Sequence, residues 1–561
     1  MKKNIHNIII AAAFLIFFSV VAACTKSFDG YVEDPTTNRA FVPRDFRVRT
    51  AQDTAVFTWN LGTLASGRRY TYKVEISGDS TFQTVEYAQL TDTLGIKVLD
   101  PTLAVNKKYY ARLRVEPYFG SEASRWVNSP SSFRLGGQQY LKLIRDFEVN
   151  STSVILHWYT NSSTSGIDKV LLTKENDPQF ISVPVSASEA QAGEKVISGL
   201  TPGTKYSIQL MAGTKSKGLA ALATPTAPTY TSTLTNGADL AAAITSAANG
   251  DVIGLEPGTY VLSSIFNLSS KRITLRSTSN NPLNTKVKIR ELNLVGDSAA
   301  VTLLGLDVDG NYSGTSKGGT FIQLKGTGGD GNAATFGNIR LENCHVHNFT
   351  RAIIRGNYGT AANSHIIPAI NISNCLIYDV NPSGSDTYYM FSLEKLQVLN
   401  INISKSTFYN LGDGLINMST TLTGTAIPAI TIDQSTFNNI GSQGKYLLYD
   451  VTNNRVVANI KNSIFANSPL SGQSINGTAF RSTNTNSTLA FTNNNYFKLN
   501  SSSTSTSKLV LTGLSQSGNY EIDLGWTAVT NSFSLGNLPP DSPLLKASSS
   551  GNTIGDPRWA Y

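Results

Sequence analysis

Between residues 338 and 500 one alternation of apolar and polar side chains is written six times. The copies read NIRLENCHVHN, INISNCLIYDV, INISKSTFYNL, ITIDQSTFNNI, ANIKNSIFANS and, more loosely, FTNNNYFKLN. Within each, apolar residues stand two apart, as Ile370 and Ile372 or Ile401 and Ile403 do, which is the period of a strand with one buried face. An apolar anchor near the end of each copy marks the repeat: Val346, Ile377, Phe408, Phe437, Phe465 and Phe497. Its steps are 31, 31, 29, 28 and 32 residues, inside the range of about 20–50 that stacked repeats use. Two residues after the anchor stands Asn348, Asp379, Asn410, Asn439 or Asn467. Asn and Asp tolerate the left-handed backbone of a sharp turn, and stacked amides can bond from one coil to the next. A helical solenoid needs apolar residues three and four apart, and these phrases lack them. The pattern predicts a right-handed parallel β-helix.

A second apolar stretch follows each phrase, at 352–356, 390–394, 415–418, 447–450 and 479–482. With the central apolar residue of each placed inward, Arg355, Ser392, Asn417, Tyr449 and Arg481 form one outward column. Upstream, the alternating strands at 54–60 and 107–115 predict a β-sandwich with Trp59 inside. Strands at 153–158 and 197–210 predict a second one. Residues 240–248 read as a short amphipathic helix, and 555–559 as a segment closing the far end of the repeats. The expected organisation is 1–23 leader, 24–40 tether, 41–135 and 136–224 sandwiches, and 225–561 β-helix. The fold class is all-β.

Composition agrees with polar outer faces. Charged residues are only 15% of 561, and Ser, Thr, Asn and Gly stand in their place. A chain this long exceeds one compact core. The formal net charge of +8 falls to +6 without Lys2 and Lys3. Between residues 24 and 224 there are 23 basic and 19 acidic side chains, so most of that surplus lies outside the β-helix. No Lys/Arg cluster of the kind that binds nucleic acid is present.

Lys2-Lys3, the apolar run over residues 8–21 and the ending Val21-Ala22-Ala23-Cys24 predict a signal peptide with a lipobox. The run is too short for an ordinary spanning helix. The motif resembles that of bacterial lipoproteins, which implies acylation of Cys24 and several acyl chains holding the protein to a membrane. Thr25, rather than Asp, follows the cysteine, which places the expected anchor in the outer membrane, facing the cell surface. The other two cysteines, Cys344 and Cys375, share one position in neighbouring rungs, where later rungs carry Ser406, Ser435 and Ser463. Packing of small side chains accounts for that column, and a disulfide between adjacent coils is the alternative.

Trp158 on an early strand and Leu200-Thr-Pro-Gly-Thr-Lys-Tyr206 opening a late one resemble fibronectin type III domains. Trp59 and Leu103-Ala-Val-Asn-Lys-Lys-Tyr109 repeat the pattern without the Pro-Gly. The helix at 240–248 leading into Glu256-Pro-Gly-Thr-Tyr260 resembles the entry of pectate-lyase-like β-helix proteins. The whole arrangement resembles surface lipoproteins of glycan-foraging Gram-negative bacteria. That resemblance implies an acidic-polysaccharide context, and leaves catalysis open.

The outward column is the candidate ligand-binding strip: Arg355, Asn417, Tyr449 and Arg481, walled by loops at 356–367 and 381–389 with Tyr388 and Tyr389. Arg forks match carboxylates, and Tyr offers a flat face to a sugar ring. A polysaccharide lyase needs a base and a neutraliser of the substrate carboxylate, often Ca2+. Arg355 and Lys395 are the candidate bases, and Glu342 the candidate metal ligand. Stacked on Glu342, however, are Ser373, Ser404, Asp433 and Lys461, which build no calcium cage. Asp307 and Asp309 face one way, as a cation site or as turn residues. No carboxylate pair of the hydrolase type assembles. Three readings stand: a surface lipoprotein that binds polysaccharide without a cofactor, alongside other glycan-uptake proteins; a lyase using Ca2+; and a structural adhesin.

Overall fold

Each repeated phrase becomes a strand, a turn and a second strand, and the units stack. The computed structural model describes residues 38–61, 68–177, 179–326, 332–356, 365–394, 396–422 and 425–561. Cys24 and its lipobox, and Lys395, lie outside the described residues. First strands pair in one parallel sheet, running through Ile339–Glu342, His365–Ser373, Leu396–Ser404, Ala429–Asp433, Val457–Lys461 and Thr488–Thr492. Second strands pair from His345–Phe349 through Leu376–Val380, Thr407–Leu411, Thr436–Ile440 and Ile464–Ser468 to Asn495–Leu499. The third set runs from Ala352–Arg355 through Phe391–Ser392, Ile416–Asn417 and Tyr449–Thr452 to Phe480–Ser482. The second and third sets meet on the long strand Thr285–Val295. The result is a parallel solenoid of about eight turns over residues 258–499.

The turns follow from residue chemistry. Asn348, Asp379, Asn410, Asn439 and Asn467 all have positive φ, between 51° and 65°. Asn and Asp adopt this region at less cost than other side chains with a Cβ. Amides link some rungs: Asn410 Nδ2 donates to Asp379 Oδ1 at 2.5 Å, and Asn439 Nδ2 to Asn410 Oδ1 at 3.3 Å. The cysteine column is a second ladder. Ser406 Oγ accepts the Cys375 N–H at 3.0 Å, Ser435 Oγ that of Ser406 at 3.4 Å, and Ser463 Oγ that of Ser435 at 3.1 Å. Cys344 and Cys375 are buried free thiols, and burial raises the Cys375 pKa.

Inside, Phe408, Phe437 and Phe465 stack with ring centroids 5.0 and 4.6 Å apart. The sixth anchor differs from expectation. Tyr496, not Phe497, pairs with Phe465, and Phe497 turns outward onto Trp526 at 5.8 Å. At the N-terminal end, the helix Leu240–Ser246 buries Leu240 and Ile244 in the core, and Asp239 caps it by accepting the Ala242 N–H at 2.9 Å. The Lys271 ammonium lies 2.8–2.9 Å from the carbonyls of Ile244, Thr245 and Ala247, which satisfies the other end of the helix.

The C-terminal segment does not close the far end, as its sequence suggested. Leu509, Leu511 and Leu514 of a last partial turn join the core there. The chain then runs back along the outside of the second sheet. Trp526, Phe533, Leu535, Leu544 and Ile554 bury Ile464, Ala466 and Phe497 in an outer core. Farther back, Asp556 Oδ2 accepts from Thr407 Oγ1 at 2.7 Å, and Arg558 Nη2 donates to the Asn374 carbonyl at 2.7 Å. The reason is apolar area. Phe497 and Ile464 face outward and need a cover, and the strap supplies it.

The N-terminal half contains two sandwiches. In the first, sheets of three and four strands enclose Trp59, which is 2% exposed and 5.3 Å from Tyr72. The Tyr109 phenol accepts the Ala104 N–H at 2.9 Å, which pins its loop to its strand. The second has a four-stranded sheet with Lys169–Lys174 and Lys205–Ala212 at its centre, and buries Trp158, Leu200 and Tyr206.

Candidate functional site

On the third sheet each rung contributes one outward side chain. Register places Gln323, Arg355, Ser392, Asn417, Asp450 and Arg481 in a single column, with neighbours about 4.8 Å apart. Four of the five residues expected in this column are there; Tyr449 is the correction. It is 0% exposed, pairs with Ile416 and Phe480 and points into the core, while Asp450 takes the outward place. A one-residue slip in a strand exchanges its faces, and three consecutive apolar residues, Leu447, Leu448 and Tyr449, hide that slip from the sequence. Among the described residues the Tyr449 hydroxyl has no hydrogen-bond partner.

Around this column lie rings and counter-charges. The Arg355 guanidinium sits 4.2 Å from the Tyr388 ring centre, and that of Arg481 5.2 Å from the Tyr446 ring. Arg481 also binds Asp450 through Nε at 2.8 Å and Nη2 at 2.6 Å. Asn417 Nδ2 donates to Glu394 Oε1 at 2.8 Å, and Gln323 Nε2 to Glu291 Oε1 at 3.1 Å. Tyr389 is a second correction. Its ring is 2% exposed and its phenol oxygen accepts the Tyr446 N–H at 3.2 Å, so it supports the wall from behind. Burial raises its ionisation well above the usual tyrosine range. Tyr388 and Tyr446 are the rings at the surface of the strip, and both are partly exposed. Sequence reasoning found Tyr388 from its loop and missed Tyr446, Glu394 and Asp450 as strip members. Glu394 and Asp450 adjoin residues already singled out, and correct register recovers Asp450.

The loop carrying Tyr388 is firmly attached. Arg351 Nε donates to Asp386 Oδ2 at 3.1 Å, Gln443 Nε2 to the Gly384 carbonyl at 2.6 Å and Gln473 Nε2 to the Ser383 carbonyl at 3.2 Å. The opposite expected wall, 356–367, has its residues 357–364 outside the described residues.

Glu342 is not brought to Arg355. It lies on the first sheet, paired with Arg340, and Ser373, Ser404, Asp433 and Lys461 stack above it in that order. Asp307 and Asp309 do face one way, but Lys286 Nζ stands between them, 3.1 and 3.6 Å from their carboxylates. His347 Nε2 lies 2.7 Å from Asp307 Oδ1, and Asn348 Nδ2 donates to Asp309 Oδ1 at 2.9 Å. Burial opposes the Asp307 charge, yet His347 and Lys286 outweigh it and hold its carboxyl below the usual range. The His347 ring stacks on Tyr378 at 4.7 Å, and Tyr378 on Tyr409 at 4.9 Å. This cluster is internally satisfied, with a lysine in the place that the cation reading would give to a metal ion. Among the described residues no group of three or more His, Cys, Asp or Glu side chains is placed to hold a metal. A separate groove of about 530 Å³ opens beside Tyr496, Lys498, Lys508 and Glu521. Its charges are tied in pairs, Lys498 with Asp523 and Lys508 with Glu521.

The fold and the strip together define an all-β protein: fibronectin type III-like sandwiches followed by a parallel β-helix with a polar, ring-flanked face. No protein-family model matches the chain, and no curated protein matches it. Among solved structures, a two-domain fibronectin type III segment of chicken tenascin is 16% identical, covering 33% of this chain and 100% of its own, with a TM-score of 0.17. The FN1–FN3 domains of chicken CNTN1 are 11% identical, covering 34% of this chain and 68% of theirs, with a TM-score of 0.15.

Proposed function

We propose that this protein is a surface lipoprotein, anchored in the outer membrane through Cys24, whose β-helix binds a polysaccharide along the third sheet. The observation that carries the reading is the column from Gln323 to Arg481, one polar side chain per rung, with Tyr388 at Arg355 and Tyr446 at Arg481. Gln323, Ser392, Asn417 and Asp450 are only 2–8% exposed, so the accessible groups are Arg355 and Arg481 with their rings, and their spacing along the rungs suits a ligand that is itself a polymer. Rings offer flat apolar faces to sugars, while guanidinium groups donate hydrogen bonds to hydroxyls and carboxylates. The Arg355 guanidinium favours a chain bearing carboxylates or sulfates. At the cell surface the protein works alongside other glycan-uptake proteins.

The test uses the chain from Ser27 onward in affinity electrophoresis against pectin, alginate, chondroitin sulfate and a neutral glucan. Retardation by an acidic chain, reduced in Arg355→Ala and Tyr388→Ala, is the expected result. Migration unchanged in all four gels would sink the reading and leave a structural adhesin. Ultraviolet absorbance is followed in parallel with Ca2+ present. A rise from an unsaturated product would instead make the protein a lyase, with Arg355 and Lys395 the bases to replace.

A further inference from the structure

The arm at residues 381–389 walls the strip through Tyr388 and crosses several rungs, from Arg351 on one side to Gln473 on the other. At its root sits Asp413, in the sharp turn before Ile416–Asn417, with φ of 58° and 1% exposure. Asp413 Oδ2 accepts from Asn381 Nδ2, the first residue of the arm, at 3.0 Å. Its Oδ1 is 3.4 Å from Ser442 Oγ, which also accepts the Asp413 N–H at 2.8 Å. The same Asn381 side chain closes the arm on itself: its Oδ1 accepts the Asp386 N–H at 3.2 Å, and its Nδ2 reaches the Asp386 carbonyl at 3.2 Å. Two charged groups act on Asp413, Lys445 from the following rung and Asp386 from the arm. The Tyr389 ring packs against the adjoining Gly414, where a Cβ would meet it at 2.6 Å.

We propose that Asp413 is a proton-operated latch: protonated, its carboxyl fastens the 381–389 arm against the strip, and ionised, it releases the arm.

The physical reason is the cost of a buried charge. Burial pushes the Asp413 carboxyl up to about 8, against the opposing hydrogen bonds from Asn381 and Ser442 and the charge of Lys445, and Asp386 adds to the rise. An ionised Asp413 needs water, and water reaches it when the segment bearing Asn381 and Asp386 lifts. In the lifted state the carboxyl titrates in the ordinary range. The closed state therefore holds one proton more than the open state from about pH 4 to about 8. Across that window the open fraction climbs by up to about tenfold per pH unit, and above it levels off. The latch tightens as the medium acidifies.

The consequence for ligand rests on the strip being the binding face; the latch itself is read without ligand. The experiment is hydrogen exchange of peptides spanning 381–389 in the chain from Ser27 onward, from pH 5 to 9, with rates corrected for intrinsic exchange. Protection in the wild type should fall as pH rises and then flatten near 8. Asp413→Asn keeps the shape, is neutral at every pH and suits a left-handed backbone, so its arm should stay protected throughout. Protection independent of pH in the wild type, or the same slope in Asp413→Asn, would overturn the latch. Glycan retardation at pH 6 and 9 separates the two proposals. Affinity that weakens as the arm opens supports both. An arm that opens with no glycan bound at either pH keeps the latch and removes the strip reading.

Discussion

Arg481 grips Asp450 of the preceding rung through two hydrogen bonds, 2.8 and 2.6 Å long, while its guanidinium faces the Tyr446 ring at 5.2 Å. The aspartate side chain is 7% exposed, whereas the arginine side chain is 42% exposed. The pair thus has a buried end and a wet end. Replacing Arg481 by Ala leaves a buried carboxylate with the Thr452 hydroxyl but without its cationic partner, an expected loss of about 1–3 kcal/mol in urea unfolding. Arg481→Lys restores the charge but not the fork, and should recover only part of it. Equal midpoints for all three proteins would show that water replaces the arginine.

Tyr449 gives the opposite expectation. Its ring is inside the β-helix and its hydroxyl has no partner among the described residues, so Tyr449→Phe removes an unsatisfied polar group and little packing. Stability should stay level or rise by up to about 1 kcal/mol, and glycan binding should not change. A marked loss of stability would mean that the hydroxyl has a partner after all.

His365 predicts an acid-sensitive core. The side chain is 0% exposed, neither ring nitrogen has a hydrogen-bond partner among the described residues, and the Phe336 ring lies 5.3 Å away. Burial lowers its pKa, and burial likewise takes His345 down to about 4. The unfolded chain therefore binds protons that the folded chain refuses, and stability falls as pH drops below the ordinary histidine range. His365→Leu should lose less melting temperature than the wild type between pH 7.5 and 5. Parallel losses would place the sensitivity elsewhere.

Trp559 tests the strap. Its indole N–H donates to Thr407 Oγ1 at 2.7 Å, and its ring meets Phe533 edge-on at 5.5 Å. Trp559→Ala should cost about 2–4 kcal/mol and increase hydrogen exchange in the strands Thr407–Leu411 and Thr436–Ile440. Unchanged exchange there would show that the outer core stands without it.

Much of this molecule could be read locally. The turns at Asn348, Asp379, Asn410, Asn439 and Asn467 were legible because Asn and Asp carry their backbone preference with them. So was the helix at Leu240, because one apolar stripe beside an Asp is a complete signal. The strip was legible in part. Arg355, Ser392 and Asn417 are the polar residues that end their apolar runs, whereas after Leu447 and Leu448 the outward place falls to Asp450, and the amphipathic Tyr449 competes with it for that place. Phe497 failed in a similar way, beside Tyr496. Lys286 between Asp307 and Asp309 went unseen because its partners lie a rung away.

The sequence by itself determined the period, the turn chemistry and the alternation that makes each rung, since these depend on neighbours two to four residues apart. Tertiary structure decided which of two adjacent apolar residues faces inward, because hydrogen bonds to the rung below select the register. It also decided what covers each outer face. Trp559 meets Thr407 across 152 positions, and Asn381 meets Asp413 across 32; such contacts exist only once the coils have stacked.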